Sequence, residues 1–108
     1  MPNADRAVVD ERKLTEYILS RSHPIGRFKA AVFAAAGFDV DSWPELAAQI
    51  RAVAIEGEAE GGARSEFGQK YLISGTLTGP HGARLAVVTV WIVLSADDTP
   101  RLVTVYPR

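Results

Sequence analysis

The run Leu85-Ala86-Val87-Val88-Thr89-Val90-Trp91-Ile92-Val93-Leu94 constrains this chain more than any other stretch. It is apolar at all but one position and mostly β-branched, and it has about half the length that a membrane-spanning helix needs. Turn residues bound it on both sides: Gly79-Pro80-His81-Gly82 before it and Ser95-Ala96-Asp97-Asp98-Thr99-Pro100 after it. A short strand that is apolar on both faces belongs in the middle of a sheet, so residues 84–94 are predicted as a central strand.

The flanking segments extend that sheet. Residues 69–78 alternate, with Tyr71, Ile73 and Leu77 partly in phase, and residues 101–106 alternate cleanly. On that reading Leu102, Thr104 and Tyr106 point one way, and Arg101, Val103 and Val105 the other. Residues 56–64, with three Glu and three Gly, read as a loop or a frayed edge strand.

Upstream the period is helical. Leu14, Tyr17 and Ile18 mark a short helix over 13–20. Ser22-His23-Pro24 starts a second helix, which runs to about Ala36 with Gly37 as a left-handed terminator and Phe28, Val32 and Ala35 as its buried stripe. Ser42-Trp43-Pro44-Glu45 reads as a capping box for a third helix through about Val53, with Leu46, Ile50 and Val53 inward. Helices first and an antiparallel meander second define an α+β fold. Two or three N-terminal helices pack on one face of a three- to four-stranded antiparallel sheet. Residues 1–12 are expected to be a partly ordered N-terminal segment, and residues 13–108 a single domain.

The formal net charge is −1, which gives no global pull toward nucleic acid or membrane. The charges are unevenly placed, however. Residues 12–29 carry Arg12, Lys13, Arg21, Arg27 and Lys29 against Glu16 alone, while residues 39–60 hold Asp39, Asp41, Glu45, Glu56, Glu58 and Glu60 against Arg51 alone. Such a bipolar surface steers an anionic ligand to one side; equally, each run reads as a solvated helix face. Without cysteine there are no disulfides or thiolate metal sites, which fits a cytoplasmic protein or an effector domain that unfolds during delivery. Residues 1–9 lack the apolar core of a secretory signal. No acidic or histidine spacing matches a calcium or zinc site, and no phosphate loop, dinucleotide fingerprint or nucleophile elbow is present. No metal and no cofactor is expected.

The stretch His23-Pro24-Ile25-Gly26-Arg27-Phe28-Lys29 gathers an imidazole, a guanidinium and an ammonium. Helical geometry puts His23 and Arg27 on one face and turns Lys29 about 160–200° away from Arg27. Lys29 therefore serves another surface, or the site borrows from the sheet. Lys70 alternates with Tyr71 and is expected on the open face of the sheet. Thr89, Trp91, Arg101, Thr104 and Tyr106 come from neighbouring strands, where Thr89 and Thr104 either pair across the strands or line a cleft with Tyr106 at its lip. Each also has a plain structural reading: a capping His-Pro, a solvated Arg/Lys pair, an edge lysine, structural threonines. His81 lies in a turn.

The motifs Lys13-Leu14-Thr15-x-Tyr17-x-Leu19, His23-Pro24-x-Gly26-Arg27-x-Lys29-Ala30-x-x-Phe33 and Gly37-Phe38 resemble the N-terminal half of a bacterial domain-of-unknown-function family. Phe67-Gly68-Gln69-Lys70-Tyr71, Leu77-Thr78-Gly79-Pro80-x-Gly82, Thr89-Val90-Trp91-Ile92 and Pro100-Arg101-Leu102-Val103-Thr104-x-Tyr106-Pro107 carry the resemblance through residue 107; Phe67, before the Gly, is a minor departure. Members of that family occur as small standalone proteins and at the C-terminal ends of large secreted proteins, where contact-dependent and polymorphic toxins keep their effector domains. The order of elements is similar to that of the barnase/EndoU/colicin/RelE group of metal-independent ribonucleases.

The resemblance implies RNA cleavage by attack of the 2′-hydroxyl on the adjacent phosphate. It makes His23, Arg27, Lys70, Thr104 and Tyr106 the catalytic candidates, and Lys29, Arg101, Thr89 and Trp91 the substrate-binding ones. RNA and a cognate antitoxin or immunity protein are the implied partners, with no membrane. The alternative is a non-enzymatic protein-binding module, such as the partner of a small neighbouring protein in a toxin–antitoxin-like pair. The charge of −1 favours that alternative, because phosphate contacts supply much of the affinity for RNA.

Overall fold

The computed structural model describes residues 1–19 and 27–108. The four strands β1 (Ala59–Ser65), β2 (Gly68–Thr78), β3 (Arg84–Leu94) and β4 (Asp97–Pro107) form an antiparallel meander in the order β1-β2-β3-β4. The helices precede it. Helix α1 (Glu11–Lys13) runs into a π-helical turn (Leu14–Ile18), and helices α2 (Arg27–Ala35) and α3 (Trp43–Glu56) follow. The α+β expectation holds, with the helical layer on one face of a four-stranded sheet.

The faces follow from the alternation. Ile73 and Leu77 of β2, Val87, Thr89 and Trp91 of β3, and Leu102 and Val105 of β4 are buried against the helices. Leu46, Ile50 and Val53 of α3 meet them, the inner face its spacing predicts. Gly75 on β2 admits α3, since a Cβ there would stand 2.6 Å from the Val53 side chain. Residues 1–12 belong to the same body. Ala7 and Val9 are buried in the core, and Val8 pairs in parallel with Arg101, its N–H donating to Pro100 O at 2.8 Å and its carbonyl accepting from Leu102 N at 3.0 Å.

Three local expectations are corrected. The cap of α3 lies three residues upstream: Asp39 accepts from Ser42 N, and Ser42 Oγ accepts from Asp39 N, closing the box around a 3₁₀ turn (Val40–Ser42) that leads into the helix. The buried side of α2 is Ala30 and Phe33, continued by Ala36 just past its end, while Val32 and Ala35 of the expected stripe are exposed; the Phe28 side chain lies outside what is described. Strand β4 starts at Asp97, because Ser95-Ala96 alone makes the turn, with Leu94 opposite Asp97.

The terminator of α2 stands as read. Gly37 has φ +97°, and Phe38 N bonds Phe33 O while Gly37 N bonds Ala34 O, the two bonds of a Schellman cap. Phe33 and Phe38, the residues that such a cap brings together, are both fully buried.

Thr89 is the polar residue in the apolar strand, and its hydroxyl is spoken for. It donates to Ile73 O on β2 at 2.8 Å and accepts from Trp91 Nε1 at 2.8 Å. Thr89 and Trp91 are both fully buried, so they pin the core and stand away from any solvent-facing surface. Thr89→Val removes the acceptor for a buried indole N–H at constant shape. It is expected to cost about 1–3 kcal/mol, read as a fall in thermal midpoint with the fold intact by circular dichroism.

Candidate active site

A bulge in β4 builds the site. Opposite β3, Val90 pairs with Thr104 but Trp91 pairs with Leu102, leaving Val103 as an extra residue. That slip flips the alternation. Leu102 and Val105 both point into the core, so Thr104 and Tyr106 point to the outer side. The shared face expected for Leu102, Thr104 and Tyr106 does not form. Thr89 faces Val105 rather than Thr104, so the expected threonine pair is absent too.

On that outer side Thr104 and Tyr106 meet Lys29 from the first turn of α2. The Lys29 ammonium donates to Thr104 Oγ1 at 3.2 Å and lies over two rings, 5.6 Å from the centroid of Tyr17 and 6.0 Å from that of Tyr106. Tyr17 comes from the π turn, closed by Leu19 N on Leu14 O at 2.7 Å. Leu14 and Ile18 anchor that turn in the core, and Lys13 and Tyr17, four apart, turn toward Lys29. Lys13, Tyr17, Lys29, Val103 and Thr104 line one open cavity of about 400 Å³.

Among the described residues the ion pairs are Arg12–Glu16 at 3.5 Å and Arg101–Asp97 at 3.0 Å. Lys29 and Lys13 thus keep their charges free of carboxylates. An ammonium held by a hydroxyl beside two aromatic rings suits an anionic group such as a phosphate.

The remaining candidates are dispersed. Lys70 is exposed on the outer face opposite Ile92, which in turn faces Arg101, so Lys70 stands two strands, roughly 10 Å, from β4. Arg101 is exposed and bound to Asp97, whose carboxyl is held below its ordinary range by the Thr99 backbone N–H and by Arg101 itself. Arg27 opens α2, two residues before Lys29. His23 lies outside the described residues. Tyr17 and Lys13 join the site although the sequence singled out neither for it. Their i, i+4 spacing beside two core residues was the available signal, but it reads equally as an ordinary helix face. His81 is exposed in the β2–β3 turn.

Among the described residues no three His, Asp or Glu side chains gather as a metal site, and no helix is long and apolar enough to cross a membrane.

These features describe a small α+β domain with a cationic, tyrosine-flanked cavity on the edge of its meander. Over residues 1–108 the chain matches the family described as "Domain of unknown function (DUF6883)", and it belongs to that family. No curated protein matches it significantly. Among solved structures it is similar to a chain from the contact-dependent growth inhibition toxin–immunity protein complex of Klebsiella pneumoniae 342. The TM-score is 0.71 at 17% identity, over 97% of this chain and 96% of that one. At that identity the likeness is one of fold.

Proposed function

We propose that this domain is a metal-independent ribonuclease of the bacterial toxin type, acting in the cytoplasm of the cell it reaches. The observation that carries the reading is the Lys29 ammonium, free of carboxylates and set 3.2 Å from Thr104 between the rings of Tyr17 and Tyr106. A fold shared with a chain of a toxin–immunity complex supports the toxin context and a cognate immunity protein as partner.

The chemistry is transphosphorylation. The 2′-oxygen bonds to phosphorus as its proton passes to His23, whose imidazole is the side chain suited to a general base. The bond from phosphorus to the 5′-oxygen breaks, and that oxygen takes a proton from Tyr106 or from water. The products are a 2′,3′-cyclic phosphate and a 5′-hydroxyl. Lys29 and Arg27 stabilise the charge that grows on the phosphoryl oxygens, and Thr104 orients Lys29.

A second reading keeps the chain as a protein-binding module. The open sheet face favours it: Leu72, Val88, Val90 and Ile92 stand there half-buried, and among the described residues no helix or strand is layered above them. Induced expression in bacteria separates the two. The wild type is expected to arrest growth and fragment RNA, and His23→Ala to restore both. Equal growth and intact RNA with either protein would remove the ribonuclease and leave the binding module.

A further inference from the structure

The outward face of the sheet carries its charges at two opposite edges. At the β1 edge Glu60 stands beside Leu72 in the ladder, and Glu58 lies two residues earlier on the same face. At the β4 edge Thr104 and Tyr106 face outward with the Lys29 ammonium against Thr104, and Arg108 follows, its N–H on Ala86 O at 2.8 Å. Between them run Leu72 of β2 and Val88, Val90 and Ile92 of β3, all half-buried. One shallow cavity of about 360 Å³ spans the sheet, with Glu58 and Glu60 on one side, Leu72 and Val88 between, and Tyr106 and Arg108 on the other.

Among the described residues Glu58, Glu60, Lys29 and Arg108 have no ionic partner. Opposite charges at the two edges of an apolar strip make the face complementary to itself. A two-fold axis along the strands lays β1 of one copy over β4 of the other, and does so twice. Glu60 then comes opposite the partner's Lys29, Glu58 comes near the partner's Arg108, and Leu72 meets the partner's Val90. A two-fold axis across the strands lays β1 over β1, carboxylate on carboxylate, which is repulsive. The favoured arrangement is also the aligned one in which sheets commonly stack.

We propose that the outward sheet face joins two copies of this chain in an isologous dimer, with Glu58 and Glu60 of each copy on the cationic β4 edge of the other. Strand and residue spacings give a face of roughly 19 by 27 Å, so about 1,000 Å² is covered in total, the lower limit for a specific interface. The dimer is therefore weak and forms with rising concentration. It stands without the ribonuclease reading but bears on it, since the dimer covers Lys29 and leaves the monomer as the form that meets RNA.

The test is sedimentation velocity on the full chain, from about 1 μM to about 1 mM. One protomer is expected to give way to two, and high salt to reverse it. Glu58→Lys with Glu60→Lys should weaken the dimer by about 100-fold or more, and so should Lys29→Glu with Arg108→Glu. Mixing the two double variants should restore a dimer, since each then offers the charge the other needs. Val88→Arg, which sets a charge in the middle of the strip, should abolish it. Arg51→Glu, on the exposed side of α3, should leave it intact. Circular dichroism checks that each variant is folded.

A wild type that stays monomeric at the highest concentration overturns the dimer. A dimer that survives Val88→Arg or either charge reversal runs through another surface and overturns it too. RNA cleavage is read separately, and per protomer it should fall as the dimer forms. Cleavage unchanged across that transition would show Lys29 still open and overturn this arrangement, while the ribonuclease stands. If the chain dimerises as described and cleaves no RNA at any concentration, the ribonuclease falls and the dimer stands.

Discussion

Lys29→Met is expected to slow RNA cleavage by about 10²–10³-fold while leaving the domain folded, the range seen when one preorganised donor to a developing oxyanion is lost. The side chain meets the requirement for that effect. Its ammonium is fixed by Thr104 and two rings rather than free in solvent, so no reorganisation is needed when charge grows on phosphorus. The stability change should be small. One hydrogen bond contributes about 1 kcal/mol net and each exposed cation–π contact about 0.5–1. Against these, methionine removes a half-buried charge and keeps the apolar stem. A thermal midpoint within a few degrees of wild type, beside a collapsed kcat/KM, assigns the loss to chemistry. Lys29→Arg keeps the charge and should recover part of the rate. A methionine variant that cleaves at the wild-type rate would show that the cavity at β4 is not where RNA reacts.

The central strand was legible in the sequence almost to the residue, because nothing but a buried strand accommodates a short, β-branched run apolar on both faces. The inner face of α3 was equally plain, since polar residues separate Leu46, Ile50 and Val53. Helix α2 was not. Ala30-Ala31-Val32-Phe33-Ala34-Ala35-Ala36 is apolar all round, so periodicity cannot choose a face. The choice is made at the helix end, where the cap at Gly37 brings Phe33 and Phe38 into the core together.

The site was obscured by one residue. Leu102 to Tyr106 alternates so cleanly that an unbulged strand is the natural reading, and no glycine marks Val103 as extra. Moving that register by one carries Thr104 and Tyr106 from the core side to the outside, where Lys29 waits. On a straight helix Lys29 turns away from Arg27, and that reading required any site to draw on the sheet. Which strand, and which face, depended on a bulge and on contacts between residues about 75 apart in the chain.

Gly79→Ala is expected to destabilise the domain by about 3 kcal/mol or somewhat more, a fall of about 15 °C in thermal midpoint for a chain of this size. The cause is a backbone-on-backbone contact. A Cβ on Gly79 would run into the carbonyl oxygen of Ala36, in the cap just past α2, and neither group can swing aside as a side chain would. Gly79 is further held by its N–H on Ala83 O at 2.7 Å and its carbonyl on Gly82 N at 3.0 Å. From the other side, a Cβ on Gly37 would stand 2.9 Å from Pro80 Cδ, so the cap of α2 and the β2–β3 turn are keyed together at two glycines. Gly82→Ala is the control. Gly82 has φ +88° but open space around it, so alanine there should cost only the left-handed penalty of about 1–2 kcal/mol. The larger loss at Gly79 than at Gly82 would identify packing rather than backbone conformation as the cause; equal losses would refute the keyed contact. Because α2 carries Lys29 at its other end, variants that loosen this key should also lose cleavage at temperatures below their melting, through displacement of Lys29 from Thr104.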